Sequence, residues 1–160
     1  MRINRITRTA ILTAAALALS LLESSIPLGF AVPLPGVKLG LANVATLFAL
    51  YTVGAGHAAF VLLCRIFVMY LINGSATGLA MSLCGGTLAF AAMMICKKAK
   101  CFSVYGVSIA GAACHNAGQI FCAMFLLSSV DVIYYLPLLL CSSVVSGFLT
   151  GAAARGIIRI

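Results

Sequence analysis

"VYGVSIAGAACHNAGQIFCAMFLL", residues 104–127, carries no formally charged side chain. A helix of that length, rising about 1.5 Å per residue, is long enough to cross the roughly 30 Å hydrocarbon core of a bilayer. His115 and Asn116 then fall near its middle, with Gln119 one turn further on. A hydrogen-bonding group placed in hydrocarbon costs kilocalories unless it finds a partner. The stretch therefore reads as a membrane helix, and it raises the question of what its three polar side chains meet.

The rest of the chain is of the same kind. Of its 160 residues, 64% are hydrophobic, and the mean hydropathy is +1.21. Charged residues make up 8%, where a soluble domain carries about 25%. A soluble fold of this length could not bury so much apolar surface, so the composition dictates an all-α integral membrane protein. Residues 1–160 read as a single transmembrane domain, with the lipid bilayer as solvent.

Six spans can be drawn: about Thr9–Phe30, Leu39–Val53, His57–Ile72, Ala76–Cys96, Val104–Leu127 and Val132–Ile157. The second and third are short and joined only by "GAG". Glycines at 78, 85, 86, 111 and 118 allow close helix approach within lipid. Basic residues orient the bundle. With six crossings and the N-terminus inside, Arg2, Arg5, Arg8, the three lysines of "KKAK", Arg155 and Arg159 all lie on the cytoplasmic side, eight of the ten in the chain. Both termini are therefore expected to be cytoplasmic. This distribution also explains the net charge of +8: it sets topology and is no nucleic-acid surface. The basic start and apolar run of "MRINRITRTAILTAAALALSLLESS" resemble a signal peptide, but no clean small-x-small site follows, so an uncleaved first helix is expected.

The seven cysteines include no C-x-x-C pair and lie mostly in apolar runs, where cysteine behaves as a small hydrophobe. No Walker motif, dinucleotide-binding glycine motif or separate soluble domain is present. Metal-assisted prenyl or phosphoryl transfer needs clustered carboxylates, and the chain has only Glu23 and Asp131. No catalytic residue, cofactor or metal site is expected, and the chain does not read as an enzyme.

Several positions read as sites. Ala10, Ala14 and Ala18 share one face of the first helix, either for internal packing or for docking a partner. In "PLPGVKLGLANV", residues 33–44, Pro33, Pro35 and Gly36 shape a loop that feeds a helix start carrying Lys38 and Asn43. A cation at the positive end of a helix suits an anionic ligand, although Lys38 could also be an interfacial anchor. Glu23, some 22 Å along the first helix, and Arg65, within the third span, are charges inside the membrane. They read as a packing ion pair or as walls of a polar cavity. Asp131 reads as a solvated loop residue. His115 and Gln119 share a helix face with Asn116 beside them, and three polar residues in five positions exceed what one interhelical contact requires.

"GVKLGLANVATLFALY", "GSATGLAMSLCGGTLA" and "GAACHNAGQIF" resemble the small bacterial membrane family labelled heptaprenyl diphosphate synthase component I, also called the Gx transporter family. That family is similar to the substrate-binding S components of energy-coupling factor (ECF) transporters. The resemblance implies six helices with both termini inside, in the bacterial cytoplasmic membrane. It also implies that Ala14 and Ala18 dock the transmembrane scaffold of a transporter whose ATPase subunits supply the energy. The expected function is capture of a small, anionic molecule from the outer side. Lys38, Asn43, Arg65, His115, Asn116 and Gln119 would line the pocket, with Glu23 neutralising or orienting a cation. Two alternatives stand beside it: a non-catalytic membrane subunit of heptaprenyl diphosphate synthase, working with an Asp-rich catalytic subunit, and a stand-alone secondary carrier.

Overall fold

The computed structural model describes residues 4–25, 40–99 and 101–157. Lys38 and the far end of the expected first span, up to Phe30, lie outside them. Six α-helices follow in order: α1 (Arg5–Ser24), α2 (Asn43–Thr52), α3 (Ala55–Asn73), α4 (Ala76–Ala99), α5 (Val104–Leu127) and α6 (Leu136–Ile157). A 3₁₀ helix over Val130–Tyr135 leads into α6. Helices satisfy every backbone group within their own segment, which is what hydrocarbon demands.

Five of these helices are long and apolar enough to cross a membrane. The exception corrects the expected Leu39–Val53 span. α2 begins only at Asn43 and has 10 residues, about 15 Å of helix, or half a bilayer. Gly40, at φ +80°, precedes it in a conformation that L side chains rarely adopt. The sixth span also differs, because the 3₁₀ turn occupies its first residues. Pro137 lacks an N–H and suits the first turn of a helix, where none is needed.

Contacts between helix ends define the path of the chain. The Thr9 hydroxyl lies 3.0 Å from Nδ1 of His57, so α1 and α3 start at the same end. Lys97, in the last turn of α4, donates to the carbonyl of Leu50 near the end of α2 at 2.7 Å. Its amine also sits 4.6 Å over the Tyr51 ring. The Arg155 guanidinium stacks on Tyr105 at the start of α5. Arg5, Arg8, Lys97, Lys98 and Arg155 thus gather at one end of the bundle, with exposed Asp131 beyond the opposite end of α5.

α5 is the central helix, packed along its length against α4 on one side and α6 on the other. Small residues make this possible. A Cβ on Gly118 would lie 2.8 Å from the Cys84 carbonyl oxygen, and one on Gly147 would lie 2.6 Å from Cα of Ile109. Two apolar clusters fill the interior. One gathers Leu47, Leu50, Val61, Met93, Val107 and Ala154 towards the basic end. The other gathers Met81, Ile120, Ala123, Val132 and Leu139 towards the opposite end. Between them, along the axes of α3, α4 and α5, lies a layer of polar side chains.

Candidate functional site in the polar layer

The polar layer is assembled from nearly every helix. Glu23 ends the buried face of α1, which also carries Thr9, Thr13, Ala16 and Ser20. The first two hydroxyls on that face are satisfied by bonding back to the carbonyl four residues earlier, at 2.8 and 2.9 Å. Glu23 has no such local partner. Its Oε1 accepts the backbone N–H of Gly40 at 2.5 Å, which ties the end of α1 to the segment entering α2. Arg65, just past the middle of α3, is buried and close enough to Glu23 for the two charges to interact. These are the two formal charges inside the described bundle, and they are opposite.

His115 lies at the centre. A Cβ on Gly40 would meet its Cδ2 at 3.3 Å, and a Cβ on Gly85 of α4 would meet its Nδ1 at 3.0 Å. The imidazole therefore sits between two glycines because neither brings a side chain. Gly40 also lies against Asn43, whose Nδ2 would be 2.9 Å from a Cβ there. Gln119, one turn along α5, packs on Gly85 as well. Asn116 faces α6, where its Nδ2 donates to the Leu139 carbonyl at 2.7 Å.

All six expected pocket residues among the described positions are buried: Glu23, Asn43, Arg65, His115, Asn116 and Gln119. Asn116 and Gln119 are 0% exposed and Glu23 only 2%, so the layer is closed in this conformation. Close packing links Gly40, Asn43, His115, Gly85 and Gln119 directly, and Glu23 joins them through Gly40. Asn116 points instead to the α5–α6 seam. Lys38 lies outside the described residues.

Several buried polar atoms have no hydrogen-bond partner among the described residues. They are Oε2 of Glu23, both amide atoms of Asn43, Oγ1 of Thr46, Nε of Arg65 and Oδ1 of Asn116. Such atoms cost about 1–3 kcal/mol each when left unmatched, and interiors rarely hold many. Thr46 is the member missed by sequence reasoning. Its signal was present, since it lies three residues after Asn43 and shares that helix face. No group of three His, Cys, Asp or Glu side chains able to hold a metal ion occurs among the described residues.

The alanine strip behaves differently. Ala10, Ala14 and Ala18 are all exposed, so internal packing, one of the two roles open to them, is not where they lie. They form an outward face of α1, beside exposed Ile6, Ile11, Leu21 and Leu22.

No curated protein and no solved structure matches this chain. Residues 12–157 match the family model described as heptaprenyl diphosphate synthase component I. That match takes in every part of the polar layer, from Glu23 on α1 to the Leu139 carbonyl on α6, and the chain belongs to the heptaprenyl diphosphate synthase component I family.

Proposed function

We propose that this protein is the binding component of a membrane transport system, holding a small anionic molecule in the layer around Arg65 and His115. The observation that carries this reading is the set of buried polar atoms from α1, α2, α3 and α5 that lack hydrogen-bond partners among the described residues, at the level where α4 brings Gly85 against His115. Packing alone has no use for so many unmatched groups in one layer. A ligand with a carboxylate or phosphate would accept from Arg65 Nε and from the Asn43 amide. Glu23, held by the Gly40 N–H, would balance the arginine when the ligand is gone. The layer is closed, so capture requires movement of the Gly40 segment, which forms its wall against His115.

Both termini in the cytoplasm, with α2 finishing at the end of the bundle where α1 and α3 start, complete the proposal. The gathering of basic side chains at one end of the bundle supports it. Transport would need a partner that hydrolyses ATP, and the exposed Ala14 and Ala18 offer a close-packing face for it. The family's description favours a second reading, a non-catalytic membrane subunit of heptaprenyl diphosphate synthase.

A thermal-shift titration of detergent-purified protein with prenyl diphosphates and water-soluble vitamins separates the two. Binding by the isolated chain predicts a saturable shift with one ligand class, lost in Gln119→Ala and His115→Ala variants that remain folded. No shift, together with co-purification of an Asp-rich prenyltransferase, overturns capture in favour of the subunit reading.

A further inference from the structure

Two grooves flank α1 near the basic end of the bundle. One, about 270 Å³, lies towards α3 and is lined by Ile6, Thr9, Ala10, His57 and Phe60. The other, about 210 Å³, lies towards α2 and is lined by Arg8, Ile11, Leu12, Phe48 and Thr52. Their sizes are similar, but only the α2-side groove has a permanent charge in its wall. The order of its lining residues along the helices is also distinctive. Arg8 and Thr52 stand at the end of the bundle where α1 begins and α2 finishes. Ile11, Leu12 and Phe48 lie about one helical turn deeper, roughly 5 Å further into the bilayer.

No Asp or Glu side chain lies near Arg8. The chain has only Glu23 and Asp131. Glu23 lies 15 residues further along the same helix, roughly 22 Å away, and Asp131 is at the opposite end of the bundle. The Thr52 hydroxyl donates to the Phe48 carbonyl at 2.8 Å, which leaves Arg8 as the donor to a phosphate. A cation with an apolar trough immediately beneath has the sequence of chemistry found in an anionic phospholipid: phosphate first, then acyl chain. Basic grooves between membrane helices at the headgroup level hold such lipids, each basic side chain adding about 1 kcal/mol of attraction.

We propose that the α1–α2 groove binds one anionic phospholipid, its phosphate on Arg8 and an acyl chain along Ile11, Leu12 and Phe48. The α1–α3 groove, without a guanidinium, takes bulk lipid without headgroup preference. The site is separate from the polar layer and does not depend on the transport reading.

The test is native mass spectrometry of the purified full chain titrated with phosphatidylglycerol, phosphatidylcholine or inorganic phosphate. One phosphatidylglycerol should bind saturably and more tightly than phosphatidylcholine. Arg8→Gln should weaken it about fivefold, the loss of one basic contact at an anionic surface. Ile11→Trp, a change at an exposed position that fills the trough, should reduce binding of the tailed lipid. His57→Ala, in the other groove, should leave binding unchanged. Equal affinity for the two lipids would overturn the site, and so would Arg8→Gln and Ile11→Trp proteins that bind phosphatidylglycerol like the wild type. Displacement of the lipid by millimolar inorganic phosphate would overturn the acyl-chain half of the proposal.

Discussion

α5 and α1 are both long enough to cross a membrane, yet they use polar residues in different ways. Half of α5's apolar window is buried, against 28% of α1's. α5 turns His115, Asn116 and Gln119 inward and makes close glycine contact with α4. α1 lies at the edge, with Thr9, Thr13, Ser20 and Glu23 inward and Ile6, Ile11 and Leu22 outward. Both reverse the pattern of a soluble helix, because the solvent here is hydrocarbon. In α1 Thr9 and Thr13 bond back to their own helix, Thr9 also meets His57 of α3, and Glu23 reaches across to Gly40. In α5 the inward polar groups reach other helices or lie in the central layer. Polarity along α1 up to Ser20 therefore reports which side faces in, while Glu23 and the polarity along α5 report a site.

The harshest way to break this contrast is to remove one charge of the central layer. Arg65→Met leaves Glu23 buried beside no cation, and unfolding in detergent should become easier by about 3–5 kcal/mol. Glu23→Gln in the same chain should recover most of that loss, and a single variant that melts like the parent would show that the two charges are not coupled. The next effect concerns helix approach. Gly118→Leu drives a side chain into the Cys84 backbone and should cost about 1–3 kcal/mol. Gly56→Leu, where a Cβ meets nothing within 4 Å, should be close to neutral in the same melting assay.

Smaller effects sharpen the comparison. Asn116→Leu removes the hydrogen bond to the Leu139 carbonyl and should cost about 0.6–2 kcal/mol, read as a lower denaturation midpoint. Ala14→Leu, on the exposed face of α1, should change stability by less than about 0.5 kcal/mol. On the transport reading it should nonetheless reduce co-purification with the ATP-hydrolysing partner. If Ala14→Leu destabilises the isolated chain as much as Gly118→Leu does, the outward assignment of that face is wrong.

Much of this was legible from residue order alone. The apolar run bounds α5 at Val104 and Leu127, where the helix lies, because apolar run length is a strong signal in a membrane protein. Glu23, Arg65, His115, Asn116 and Gln119 stood out because polar groups in hydrocarbon are costly and so are rarely incidental. The apolar run overstates the length of α2 because apolar composition does not register a glycine held at positive φ just ahead of the helix. Thr46 carries its signal only in its three-residue spacing from Asn43, because a single threonine in an apolar run is otherwise inconspicuous.

The sequence by itself determined that the protein lives in a membrane, which segments are helical and which side chains are too polar to face lipid. These follow from local hydrophobicity and hydrogen-bonding cost, which each residue carries wherever the chain goes. Only the tertiary structure decided that Glu23 meets Gly40, that His115 fits between Gly40 and Gly85, and that Ala10, Ala14 and Ala18 face outward. Those outcomes depend on how closely helix backbones approach and on the rotation of each helix about its axis. Both are set by packing between segments distant in sequence.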